Sequence, residues 1–378
     1  MIYLDYNATT PLAPEVRAAM EPSLTVAWGN PSSPHRAGRA AAAALHLARG
    51  QVASLVGAQP AGVLFTSSAT EANNTALAAA LAAGGDCRRK LVTIATEHSS
   101  VLQWCLAMSR KGTRLSAIPV SRDGLPDLDR LEQELTPDTA VVSAMWANNE
   151  TGVINPVAEI ARMCAARGIL FHCDAVQAAG KLPMDLRQLS IDYLTLSSHK
   201  LYGPKGAGAL IVSGNAPLTP LHIGGHQESG RRGGTENLPA IAGFGCAAEL
   251  AAAEWEGRAA RVRGLRDDFE TLVLGGIPQA CVHGAAAPRL PNTVNFGFDE
   301  VDAESLIQIL DAEGICASAG SACLTNTPTP SHVVQAMTGS YARAGEAVRF
   351  SLSHLNTEAE IQTTFRVLSG AVKALRGG

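Results

Sequence analysis

Charge and aromatic side chains are both scarce in this chain. Over 378 residues, Asp, Glu, Lys and Arg make up 17% and Phe, Trp and Tyr 4%, and the net charge is −4. So weak and slightly acidic a balance excludes a surface built to bind nucleic acid, and the 46% hydrophobic content excludes a disordered chain. A membrane span needs about 18 uninterrupted apolar residues, and no window supplies them. The leader pattern of a secreted protein is also missing, because Asp5 follows Met1-Ile2-Tyr3-Leu4 at once, so a soluble cytoplasmic protein is expected. The eight cysteines form no CxxC pair, and no Cys/His cluster has the spacing of a metal site. Free thiols in a reducing compartment follow, with Cys164, Cys173 and Cys246 placed in apolar or alanine-rich segments as packing residues. There is no internal repeat and no low-complexity tail. The partner that remains is a small molecule.

What the chain does have is a rhythm of short apolar runs alternating with longer alanine-rich helical stretches. The runs begin at Gly62, Leu91, Ala140, Ile169, Tyr193 and Ala209. This alternation predicts an α/β fold with a mainly parallel, buried central sheet. Polar residues fall at or just beyond the ends of these runs: Ser67, Thr70, His98, Asn149, Asp174, Gln177, Ser197 and Lys200. Ligands bind at such strand ends in open α/β sheets. Beyond about residue 258 the pattern changes. Arg258 to Leu274 reads as one amphipathic helix, and strand patterns at Thr293–Phe298 and Val348–Leu352 follow with different spacing. The division expected is a large ligand-binding domain over 15–258 and a smaller α+β domain formed by 1–14 and 259–378.

One run stands out. Leu196-Ser197-Ser198-His199-Lys200-Leu201-Tyr202-Gly203-Pro204 puts a lysine on a tight turn straight after an apolar strand pattern. Alone, it fits a surface lysine as well as a Schiff-base lysine, whose amine must be able to lose its proton. A pyridoxal phosphate (PLP) site needs four further features, and the chain offers each. The turn Thr66-Ser67-Ser68-Ala69-Thr70 could present backbone donors and hydroxyls to a phosphate at a helix start, or be an ordinary cap. Asp174, ending a buried run, could pair with the pyridine nitrogen, with Gln177 three residues on at another side of the ring, or serve as a cap. His98 could cover the ring face and move protons, or be structural. Arg349, in an apolar strand-like run, suits a bidentate hold on a substrate carboxylate.

Set in order along nearly the whole chain, these segments resemble the class V PLP enzymes of the cysteine desulfurase family, of NifS and IscS type. The resemblance rests on Tyr3–Thr10, Gly29–His35, Thr70-Glu71, Thr96–His98, Asn148–Glu150, Asp174–Gln177, Ser198–Lys200, Arg231–Asn237, Gly320–Cys323 and Arg349–Leu352. It implies the PLP-dependent transferase fold of the aspartate aminotransferase type. By it, Lys200 is the Schiff-base lysine, Asp174 pairs with the ring nitrogen, Gln177 meets the ring hydroxyl and His98 stacks on the ring. Ala69, Thr70, Ser197 and His199 hold the phosphate, and Thr235 reaches the phosphate of a neighbouring subunit, so a homodimer is implied. Asn149 and Arg349 orient L-cysteine. Cys323, in a turn-rich stretch that reads as a loop, takes the sulfur as a persulfide and delivers it to an acceptor or iron-sulfur scaffold protein. Pro328 and Pro330 would stiffen the far end of that loop.

The chain departs from the family pattern at four places. Ser68 replaces a usual glycine in the phosphate turn, Gly224–Ser229 reads Gly-Gly-His-Gln-Glu-Ser, Leu324 follows the cysteine, and Pro328 is added. Two other functions stay open on the sequence: a selenocysteine lyase or other PLP β-lyase, and a catalytically silent protein of the same fold acting in binding or sulfur relay.

Overall fold

A computed structural model describes residues 1–320 and 330–377. The expected loop cysteine, Cys323, lies outside the described residues.

The chain opens with β1 (Ile2–Tyr3), α1 (Pro14–Thr25) and α2 (Arg36–Leu55). An alternating series follows: β2 (Val63–Thr66), α3 (Ala69–Gly84), β3 (Lys90–Ile94), α4 (Ser99–Ser109), β4 (Arg114–Ile118), α5 (Leu128–Glu134), β5 (Thr139–Ser143), α6 (Val157–Ala165), β6 (Leu170–Asp174), β7 (Tyr193–Ser197) and β8 (Gly208–Val212). Helix α7 (Leu238–Gly276) leads to β9 (Ala280–Val282), β10 (Thr293–Phe298), α8 (Ala303–Ala312), β11 (Ile315–Cys316) and β12 (Ser318–Ala319). The chain closes with α9 (His332–Thr338), α10 (Tyr341–Gly345), β13 (Ala347–Ser351) and α11 (Glu358–Leu375).

The first series forms a seven-stranded sheet in the order β2-β8-β7-β6-β5-β3-β4. Strands β4, β3, β5, β6 and β7 pair in parallel, and only β8 runs against its neighbours. Because β2 and β7 both oppose β8, the C-terminal ends of β2, β3, β5, β6 and β7 share one edge. Apolar runs fit this sheet because helices cover both faces. Strands β2, β3, β5 and β7 are buried at every residue, as two-sided packing requires. The edge strand β4 has mixed burial and no clear apolar run, and the sequence pattern did not reveal it.

Beyond the large sheet, β12-β13-β10-β9 form an antiparallel sheet, and β1 pairs with β11. Its core is aromatic: Phe269 meets Phe296 and Phe350 edge to face, with centroids 5.4 and 5.2 Å apart, a favoured ring geometry. The amphipathic helix expected from Arg258 begins instead at Leu238, capped by the Asn237 side chain. The helix spans two cores: Ile241, Phe244 and Ala251 pack into the core of the large sheet, Val262, Leu265 and Phe269 into that of the small one. The change of pattern near residue 258 is therefore a change of packing partner inside one continuous helix.

Candidate active site

Five strand ends bring the expected residues to one edge of the large sheet, together with the N-terminal segment. After β2, Ser68 caps α3 by accepting from Glu71 N at 3.2 Å, while Glu71 Oε2 accepts from Ser67 N and Oγ at 2.7 and 2.6 Å. Arg232 braces the same carboxylate at 2.9 Å, so the turn is fixed from two directions. Ser67 and Thr70 are exposed at this helix start. On the other side β8 comes in close: a Cβ on Gly208 would lie 2.6 Å from the Ser68 carbonyl carbon and 2.9 Å from Ala69 N. Only a residue without a side chain fits there. Ser68, where the resemblance led to an expected glycine, is without strain, because its φ of −168° is ordinary extended backbone and its hydroxyl makes a good N-cap.

The floor of the cleft is Asp174. It is buried, and its Oδ1 accepts from Val176 N at 3.0 Å while Oδ2 accepts from Asn73 Nδ2 at 2.7 Å. Asn73 also donates to Ser100 Oγ at 2.9 Å, and Ser100 Oγ lies 2.8 Å from His98 Nδ1. A chain of polar contacts thus joins Asp174 to His98. Beneath it His172 places Nε2 3.1 Å from Asn73 Oδ1 and Nδ1 2.8 Å from Ser143 Oγ. Burial pushes the His172 imidazole down to about 4, so it is neutral. With His172 Nε2 as donor, the Asn73 amide is oriented to give its N–H to the carboxylate. Burial also lowers His98, with the Asp174 charge pulling the other way. Burial and Asp174 together hold the fully enclosed Glu97 carboxyl well above the usual carboxylate range.

Lys200 sits on the turn after β7. Its Nζ donates to the carbonyls of Asn7 and Ala8, the latter at 2.7 Å, so the N-terminal segment closes over the lysine. Gln177 Nε2 donates to the same Asn7 carbonyl at 3.1 Å. His199 Nδ1 lies 3.1 Å from Thr9 Oγ1, and burial with the neighbouring Lys200 and Lys205 lowers its imidazole to about 4. Tyr202 takes a left-handed φ of 63°, held by Thr10 Oγ1, which accepts from Tyr202 N at 2.9 Å. Ser197 is buried at the end of β7.

Arg349 enters from the small sheet and is only 4% exposed. Its Nη2 donates to Asp5 Oδ1 at 2.6 Å and its Nη1 to the Asn149 carbonyl at 3.2 Å, while the buried Nε has no partner among the described residues. Asn149 is thus joined to Arg349 through its backbone. Thr235 is exposed on the segment before α7 and, among the described residues, hydrogen-bonds to none of the others.

The sequence pointed to the strand ends but not to the residues behind them. Asn73 lies in an alanine-rich helix, where an amide set among small apolar residues is the sequence signal that could have exposed it, and the structure buries it fully. Asp5 and Asn7 lie in the Tyr3–Thr10 segment that carries the resemblance, but their partners Arg349, Gln177 and Lys200 are remote in the chain and left no local mark. The arrangement fits the cofactor expected from the sequence: a helix start flanked by exposed hydroxyls for an anion, a buried carboxylate for a ring cation, and His98 within reach of the charges of both that carboxylate and the Lys200 amine.

A parallel-rich α/β sheet with a lysine and a buried carboxylate at its strand ends defines an aminotransferase-like enzyme, and the chain belongs to the aminotransferase class-V family, which it matches over residues 2–364. Within that family it falls among the cysteine desulfurases. It is 48% identical over 377 residues to the cysteine desulfurase of Cereibacter sphaeroides, covering 99% of this chain and 96% of that one. A solved NifS-like protein superposes with a TM-score of 0.92 at 33% identity, over 99% of both chains. A structure of SspA in complex with cysteine gives 0.83 at 32% identity, covering 94% of this chain and all of that one.

Proposed function

We propose that this enzyme is an L-cysteine desulfurase working with PLP, and that the overall reaction converts L-cysteine and a thiol at Cys323 to L-alanine and a persulfide at Cys323. The substrate C–S bond breaks, an S–S bond forms, and the hydrogen of the Cys323 thiol is balanced by the hydrogen gained at the alanine methyl group. The substrate carbon is reduced as the Cys323 sulfur is oxidised, so no outside oxidant is needed. The observation that supports this reading is that two hydrogen-bonded chains, Asp174–Asn73–Ser100–His98 and Lys200–Asn7–Asn149–Arg349, meet where the charges of Asp174 and Lys200 both act on His98.

When bound, PLP supplies an aldehyde for amines and a ring that withdraws electrons from the substrate carbon. Ala69, Thr70, Ser197 and His199 hold its phosphate, Asp174 keeps a proton on its ring nitrogen, Gln177 meets its hydroxyl, and His98 covers its face. Lys200 would be the amine to which the cofactor aldehyde is attached and the group that moves a proton at the substrate Cα. Arg349 and Asn149 orient the substrate carboxylate. Asp5 competes for the same guanidinium, so substrate binding exchanges one carboxylate for another. Thr235 serves the site of a second subunit in a homodimer, a reading supported by its exposure and by the exposed apolar side chains Val26, Trp28 and Ile223. Residues 15–258 form the PLP-binding domain; 1–14 and 259–378 form the smaller one. The sulfur passes on to an acceptor or iron-sulfur scaffold protein in the cytoplasm; no helix among the described residues is long and apolar enough to cross a membrane.

The purified protein with L-cysteine and a thiol reductant should yield alanine and sulfide in equal amounts. Alanine from L-selenocysteine but none from L-cysteine would assign the chain to the lyases instead.

A further inference from the structure

A second amine lies beside the cleft, and neither the strand-end pattern nor the reaction above uses it. Lys181 stands four residues after Gln177 on the helical turn that follows β6, which puts both side chains on one face. Its Nζ donates to Gln177 Oε1 at 2.9 Å and reaches Asn7 Oδ1 at 3.4 Å. Gln177 in turn spends its Nε2 on the Asn7 carbonyl, which also accepts from Lys200. Asn7 itself is buried and tied on every side: its N–H donates to Ser351 Oγ at 2.9 Å, its Nδ2 to Thr293 Oγ1 at 2.9 Å, and its Oδ1 accepts from Asn292 Nδ2 at 3.0 Å.

The oxygens that Lys181 meets are amide oxygens, which do not neutralise its charge as a carboxylate would. Burial, Lys200 and Arg349 lower its amine to about 7. Its half-buried side chain also borders a cavity lined by Lys200, Tyr6, Tyr202, Arg258 and His354, none of which is a carboxylate. Enclosing an amine on those terms is costly, and it settles one geometric question. A glutamine amide can turn either face to a ligand; with a donor on Oε1 and one Nε2 hydrogen given to the Asn7 carbonyl, only the second N–H is left to point outward.

We propose that Lys181 is a positioning residue that fixes the Gln177 amide through Oε1, so that Gln177 presents Nε2 as a donor to the cofactor hydroxyl. The proposal rests on the PLP reading above. It is tested by titrating apo-protein with pyridoxal phosphate and recording the affinity and the absorbance maximum of the bound cofactor for wild type, Lys181→Met, Gln177→Leu and the double variant. Lys181→Met should weaken binding about tenfold, the loss of one oriented hydrogen bond worth roughly 1.4 kcal/mol. It should displace the absorbance maximum in the same direction as Gln177→Leu, and should change neither quantity further once Gln177 is already leucine. Should Lys181→Met fail to fold, Lys181→Gln, which keeps a shorter donor, carries the same cycle and should show a smaller loss that again vanishes without Gln177. Wild-type affinity and absorbance in Lys181→Met, or equal losses with and without Gln177, would overturn the proposal. A Lys200→Ala protein that still took up the cofactor with full colour would instead strike at the PLP reading itself.

Discussion

Replacing Asn73 with alanine removes the piece that joins the floor of the cleft to His98. The side chain is wholly enclosed, and its amide serves Asp174, Ser100 and His172 at 2.7, 2.9 and 3.1 Å. The bond to the carboxylate is the strongest, about 1.5–3 kcal/mol, and the two neutral ones add about 1 kcal/mol each, so a total near 3–5 kcal/mol is expected. No neighbour can swing in as a substitute, because Ser143 and Thr195 already engage His172. With about 2–4 °C lost per kcal/mol in a domain of this size, the apo-protein should melt roughly 10 °C lower. The assay is thermal unfolding of apo-protein followed by far-ultraviolet circular dichroism. A second effect separates this account from plain destabilisation. Asn73→Ala should also blunt turnover at temperatures where it is fully folded, since the Asp174 carboxylate loses its orientation. Melting within a degree or two of wild type, with normal turnover, would refute the idea that Asn73 carries this network.

Other perturbations have equally definite outcomes. Lys200→Ala should abolish the visible absorbance of the purified protein and all turnover; retention of both would dismiss this lysine as the cofactor's partner. Gly208→Ala brings a Cβ to within 2.6 Å of the Ser68 backbone, so the start of α3 must shift, and cofactor affinity measured by absorbance titration should fall about tenfold for an overpacking cost above roughly 1 kcal/mol. His172 titrates near 4 when folded and near 6.5 when unfolded, so the unfolded chain binds the extra proton between those values. The His172 contribution to stability should therefore be constant above about pH 6.5 and fall as the pH drops from there towards 4; denaturant midpoints across that range should show a shallower slope in His172→Gln, and an unchanged slope would place the titration elsewhere.

How much of this was legible beforehand depends on the distance over which each feature is encoded. The strand runs and their polar ends are local: a buried parallel strand must be apolar along its whole length, and ligand-facing residues must come where it stops, so Asp174, Lys200 and His98 could be placed from neighbours in sequence. The pairing of β8 against β7 and the edge strand β4 leave no comparable local mark. Asp5 as the partner of Arg349, and Asn7 as the common acceptor for Gln177 and Lys200, depend on an N-terminal segment returning to strand ends far along the chain. The helix expected from Arg258 was placed too late for a related reason: one helix packs on two cores, so its apolar face changes partner midway and no single period describes it. Ser68 in place of the glycine that the resemblance led one to expect is, by contrast, accounted for by a cap visible only once α3 begins there.

The most direct measurement concerns Cys323, which the account makes the sulfur acceptor. Wild type and Cys323→Ser, both loaded with pyridoxal phosphate, are given one equivalent of L-cysteine without reductant, and the protein is trapped with an alkylating agent and analysed by peptide mass. The wild type should carry one additional sulfur on the peptide containing Cys323, with alanine released in equal amount, while Cys323→Ser should bind L-cysteine with a change in absorbance but form neither product. Wild-type levels of alanine from Cys323→Ser, or the extra sulfur on another cysteine, would contradict the account.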